Sequence, residues 1–83
     1  MWTQLPKPWT PDMYQNDTDT CRVMLNTTRT PRLYTVMIIG NFDPNFPGEI
    51  TNIRADTLDE AKEKALQLSV ELIEEYRRKE NAT

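Results

Sequence analysis

The sequence predicts an α+β fold: a three-stranded antiparallel sheet packed on one long C-terminal helix, with an extended Pro-rich N-terminal arm. Three observations predict it. Residues 57–79 repeat apolar side chains at helical spacing behind a capping signal. Residues 32–39 are a dense β-branched, aromatic and apolar run, with a strand-like run on either side. Residues 1–16 interleave prolines with large apolar side chains. A chain of 83 residues suits a single small domain. Its expected division is an arm over residues 1–16 and a β-β-β-α unit over residues 17–83.

The arm comes first. Proline fixes φ and has no N–H, so Pro6, Pro8 and Pro11 disfavour a regular helix or a central strand and favour extended backbone. Trp2, Leu5, Trp9, Met13 and Tyr14 stand among them. Such an arm is expected to pack, on its own domain, on a partner or on a second subunit. Residues 20–26 read as the first strand, because Cys21, Val23 and Leu25 alternate with Arg22 and Met24. A Thr-rich turn closed by Pro31 leads into the second strand, residues 32–39. Residues 40–48 (GNFDPNFPG) are a loop. Residues 49–55 are a shorter third strand, with Ile50 and Ile53 at an odd spacing that a bulge or a frayed edge would produce.

The helix has the most complete signature. Thr57 and Glu60 form a capping box, in which the hydroxyl accepts from the third helical amide and the carboxylate reaches back. Asp56, Asp59 and Glu60 lie at the positive end of the helix dipole, and Arg77, Arg78 and Lys79 at its negative end. Leu58, Ala61, Ala65, Leu68, Leu72 and Tyr76 make one apolar stripe, which Leu66, Val70 and Ile73 widen.

Bulk properties narrow the function classes. The net charge is -3, with the acidic excess in the helical third of the chain. An acidic protein is poorly suited to nucleic acid as its sole partner, or to an anionic membrane, since both rely on Lys and Arg releasing counterions. Cys21 is the single cysteine, so no intrachain disulfide forms and a reducing, cytoplasmic location is expected. Asn16, Asn26 and Asn81 each begin an Asn-X-Thr triplet, read as chance in a Thr-rich chain. No apolar stretch reaches the length of a membrane span.

Catalytic chemistry is thinly represented, and no enzyme, cofactor or metal site is expected. Histidine, the commonest general base and zinc ligand, is absent. Ser69 lies beside the helical stripe and reads as packing. Cys21 lies on the apolar side of a strand, without a His to activate it. The helical carboxylates Glu60, Glu63, Glu71, Glu74 and Glu75 alternate with Lys62, Lys64 and Gln67, as on a solvated face.

The second strand points to binding instead. Leu33, Met37 and Ile39 lie on one side of it and Tyr34, Val36 and Ile38 on the other, so both faces call for burial while one helix covers only one. The other needs the arm, a second copy in a homodimer, or a protein partner. The expected partner-binding residues are Trp2, Trp9 and Tyr14 of the arm, and Tyr34, Val36 and Ile38 of a face taken to be open. A free strand edge could also accept another strand. The alternative is a nucleic-acid-associated protein that uses Arg22, Arg29 and Arg32 around the first hairpin, with Tyr34 near them. A further one is an acidic ridge that imitates nucleic acid.

Phe46-Pro47-Gly48-Glu49, followed by Ala55-Asp56-Thr57-Leu58-Asp59-Glu60-Ala61, resembles the core of HicB-type antitoxin domains. There a Pro-Gly loop precedes a short strand and a D-T-L-x-E-A helix start. The resemblance spans residues 32–76 and implies a β-β-β-α core that neutralises a partner protein by binding it. The chain lacks that family's acidic-Pro-Asp-Leu-Pro-Gly loop and a DNA-binding extension after the helix, so no functional residue carries over. The expected function is a small non-enzymatic protein-binding module, inhibitor or antitoxin-like. Its partner would be a protein or a nucleoprotein complex. Phage-encoded inhibitors of host defence complexes often have this size and acidity.

Overall fold

The computed structural model describes residues 1–5, 12–40 and 45–81. Five strands and one helix follow in order: β1 (Thr3–Gln4), β2 (Met13–Asp17), β3 (Cys21–Thr27), β4 (Leu33–Gly40), β5 (Glu49–Arg54) and α1 (Leu58–Asn81). The strands form one antiparallel sheet in sequential order, β1-β2-β3-β4-β5. This corrects the expected three-stranded sheet. The segment read as an arm supplies two strands: Thr3 and Gln4 face Gln15 and Tyr14, and residues 13–17 pair along β3. The expectation went astray because the prolines disguise the strands. All three lie between β1 and β2, within residues 6–11, outside the described residues.

The other elements fall near their predicted places. β3, β4 and β5 match the three predicted strands to within about a residue, and with α1 they keep the β-β-β-α order. β5 is neither bulged nor slipped, since Glu49 to Arg54 pair one for one with Ile38 back to Leu33. The spacing of Ile50 and Ile53 has a simpler cause: Ile53 pairs with Tyr34 and Ile50 with Met37, on opposite faces.

The core lies between the sheet and α1. Cys21, Val23, Leu25, Val36 and Ile38 form its sheet side. The buried helix residues are Ala61, Ala65, Ser69 and Ile73, at four-residue intervals, with Leu58, Leu66, Leu68 and Leu72 half-buried beside them. Three small residues in that row let the helix axis approach the sheet closely. Ser69 satisfies its hydroxyl by donating to the Leu66 carbonyl at 2.6 Å. Val70 is exposed, so the stripe is narrower on that side than expected. The hydroxyl half of the capping box forms, with the Glu60 amide donating to Thr57 Oγ1 at 3.2 Å, while the carboxylate reaches one residue further back, Glu60 Oε2 accepting from the Asp56 amide at 3.0 Å.

Two turns need unusual backbone. Gly48 has φ +76°, and a Cβ there would stand 2.8 Å from the Ile38 carbonyl oxygen. Arg32 has φ +67°, a left-handed conformation rare for a side chain of its size. Its carbonyl accepts from the Ala55 amide at 3.0 Å, which joins the β3–β4 turn to the end of β5.

Candidate functional site: the outer sheet face and the β5 edge

In an antiparallel pair, directly opposed residues point to the same face, so the register sorts the sheet into two surfaces. Val23 opposes Ile38 and Leu25 opposes Val36, and all four are buried beneath α1. Tyr34 continues this row and packs against the core. The face taken to be open is therefore the covered one: Val36 is 0% exposed and Ile38 1%. The outer face is the other side of the same strand, Leu33, Met37 and Ile39. Both sides of that strand are apolar, so the strand alone could not say which side meets the helix.

On the outer face, Gln15, Met24, Met37 and Ile50 form one row across β2 to β5. Asp17, Arg22 and Ile39 form a second row, and Met13, Asn26, Thr35 and Asn52 a third. The centre is apolar and flexible in shape, with two methionines beside two isoleucines. Ile39 is 44% exposed and Ile50 64%. A groove of about 190 Å³ extends the patch past Ile50 and Pro47 to Phe46. Phe46 stands edge-to-face on Tyr76 at 5.2 Å between centroids.

Polar groups rim the patch. Asp17 and Arg22 oppose each other across β2 and β3 and form a 2.8 Å ion pair. That guanidinium hydrogen bond holds the Asp17 carboxyl below the usual range. Thr35 Oγ1 donates to Asn52 Oδ1 at 2.9 Å. Asn26 Oδ1 is buried and has no hydrogen-bond partner among the described residues.

The expected arm residues separate. Trp2 and Tyr14 pack against the core, and Trp9 lies outside the described residues. Lys62 of α1 sits 5.1 Å from the Tyr14 ring centroid, tying the helix to β2. Burial first, then Asp12 and Tyr34, push the Tyr14 phenol up.

The arginines separate as well. Arg22 is at the start of β3, and Arg29 and Arg32 lie in the turn after it, about 20 Å away at strand rise. Arg32 instead joins Arg54 and Lys64 around a cavity of about 290 Å³, together with Asp56, Glu60 and Ala55. Lys64 pairs with Glu60 at 3.2 Å, and Arg32 lies 3.9 Å from Asp56. The Asp56 amide, then Lys64, hold the Glu60 carboxyl below its ordinary range. Opposite charges thus meet throughout this end of the sheet.

The β5 edge escaped the sequence reading except as a general option. The Ala55 amide donates to the Arg32 carbonyl, so alternate residues Ile53, Thr51 and Glu49 also aim their amides and carbonyls at β4. Ile50, Asn52 and Arg54 aim theirs outward. Among the described residues no strand lies beyond β5. Lys64 Nζ donates to the outward Arg54 carbonyl at 2.8 Å.

Among the described residues, no group of three or more His, Cys, Asp or Glu side chains could hold a metal, and no helix is long and apolar enough to cross a membrane. Comparison with protein-family models, curated proteins and solved structures finds no match. The resemblance to HicB-type antitoxins accordingly rests on the quoted residues alone.

Proposed function

We propose that the chain is a non-enzymatic protein-binding module, inhibitor or antitoxin-like in character, and that the outer sheet face is its contact surface. The observation that carries this reading is the apolar centre of that face, Met24, Met37, Ile39 and Ile50, with Met24 and Met37 half-buried, Ile39 nearly half exposed and Ile50 mostly exposed. Large exposed apolar side chains gathered on one face mark interaction surfaces. Unbranched methionines adapt to an irregular partner. The rim pair Asp17–Arg22 and the exposed Arg54 would fix orientation more than affinity. The partner that fits is a folded protein offering its own apolar patch. One buried free cysteine suits a cytoplasmic setting.

The test is capture from host lysate by the tagged chain, with nuclease, beside an Ile39→Lys/Ile50→Lys variant that keeps its helical circular dichroism. Retention of one stoichiometric protein by the wild type, lost in the variant, supports the reading. Equal retention by both, or release by nuclease, contradicts it.

A second reading has its own observation. Arg32, Arg54 and Lys64 line one cavity, with Arg29 in the turn nearby, and could meet a phosphate backbone. Asp56 and Glu60 in the same cavity oppose it. Binding to a single-stranded oligonucleotide that weakens steeply with salt and is lost in Arg32→Ala/Arg54→Ala would favour this reading over the first.

A further inference from the structure

We propose that β5 pairs antiparallel with β5 of a second copy of this chain, about a two-fold axis at Asn52. The inference stands on the strand edge and does not depend on the reading of the outer face. Among the described residues β5 is the longer edge strand of the sheet, with six residues against two in β1 at the opposite end. It carries no proline and no bulge, devices that blunt natural edges.

Edge geometry makes β5 self-complementary. A two-fold axis normal to the sheet keeps the faces of both copies aligned, so opposed residues must have the same parity. Centred on Asn52, the pairing sets Asn52 against its own copy and Ile50 against Arg54. These are the residues whose amides and carbonyls point outward, so roughly six ladder hydrogen bonds form across the axis. The aliphatic stem of Arg54 then covers the exposed Ile50 of the other copy.

Charge complementarity names the occupant as a second copy. On the helix side, the same register sets the exposed Glu49 against Ala55 of its mate. Beside Ala55 stands Lys64, whose ammonium reaches the outward Arg54 carbonyl. Glu49 of one copy thus meets Lys64 of the other, twice by symmetry. Lys64, which in the single chain donates to that carbonyl and pairs with Glu60 at 3.2 Å, turns to the incoming carboxylate while the Ile50 amide takes the carbonyl. Both helices end on one side of a continuous sheet, and both methionine–isoleucine patches on the other.

Sedimentation equilibrium of the full chain tests this. The expected mass is twice the 9.8 kDa chain. Asn52→Pro removes an amide that bonds nothing in β4, so it should leave the helical circular dichroism unchanged and weaken association by about 100-fold. Asn52→Ala keeps that amide, so it should still associate and so separates the backbone from the side chain. Glu49→Lys and Lys64→Glu should each weaken association, and the double exchange should restore it. Asn52→Cys should give an intermolecular disulfide under mild oxidation, because Cα atoms of a hydrogen-bonded pair lie within about 5.5 Å. A single-chain mass up to about 1 mM, a dimer indifferent to Asn52→Pro, or a double exchange no better than the single ones would overturn the proposal.

Discussion

Ile38 and Ile39 are adjacent, chemically identical and on opposite faces of β4. Ile38 is 1% exposed and Ile39 44%. Truncation to alanine removes three carbons at either site. At Ile38 the lost transfer free energy is about 2.4 kcal/mol, at roughly 0.8 per methylene. The hole left under α1 adds about 1 kcal/mol, for a total of about 3.5. At Ile39 about half of the transfer term applies, roughly 1.3 kcal/mol, and a site open to water keeps no cavity. Urea unfolding followed at 222 nm reads both values from the midpoint at unchanged slope. An 83-residue domain has about 4–12 kcal/mol in hand, so Ile38→Ala could populate the unfolded state. The Ile38→Val and Ile39→Val pair then serves, at about 1 and 0.4 kcal/mol. An Ile39 substitution as damaging as its Ile38 counterpart would refute the assignment of faces.

Thr57→Ala should lower stability by about 1 kcal/mol and leave the rest of α1 intact, since the Glu60 amide loses its acceptor; an unchanged melting temperature would count against the cap. Gly48→Ala should destabilise by about 2–3 kcal/mol, because it combines a left-handed φ with a Cβ pressed on the Ile38 carbonyl; a loss under about 0.5 kcal/mol would show that the turn adapts. Asn26→Val should stabilise by about 1 kcal/mol by removing a buried carbonyl oxygen that has no partner among the described residues; a loss would mean that the amide has a partner in solution. Asp17 and Glu60 hold their protons more weakly folded than unfolded. Their contribution is therefore complete above the ordinary carboxylate range and fades as pH falls through and below it. Asp17→Asn/Glu60→Gln should flatten the acid limb of a stability–pH curve, and a limb of the same slope would contradict those ion pairs.

What could be read from the sequence follows the physics of each element. The helix was legible to its cap, because Thr57, Glu60 and the apolar stripe agree at every level. β3, β4 and β5 were legible because β-branched runs between turn residues have few other uses. β1 and β2 were not, because the prolines between them hide strands that Thr3, Gln4, Gln15 and Asn16 do not advertise. That omission reached the site. Without a fourth strand beside Met24, and without a register for the β3–β4 hairpin, the two apolar sides of β4 looked alike. The available signal was Arg22, which lies between Cys21 and Val23. Its side of β3 had to face water, and the hairpin register places Ile39 opposite it. The expected arginines spread out for a related reason: Arg22 and Arg32 are near in sequence, yet a full strand length separates them.

The contact surface is tested most directly by oxidising methionines with dilute peroxide, on the purified chain and on the complex retained from lysate, and reading each sulfoxide by mass spectrometry. Met24 and Met37 should oxidise in the free chain and be protected in the complex, while the exposed Met1 oxidises in both. A β5–β5 dimer alone leaves Met24 and Met37 accessible, so their protection reports the partner. Oxidation of Met24 and Met37 that is as fast in the complex as in the free chain would contradict the outer sheet face as the binding surface.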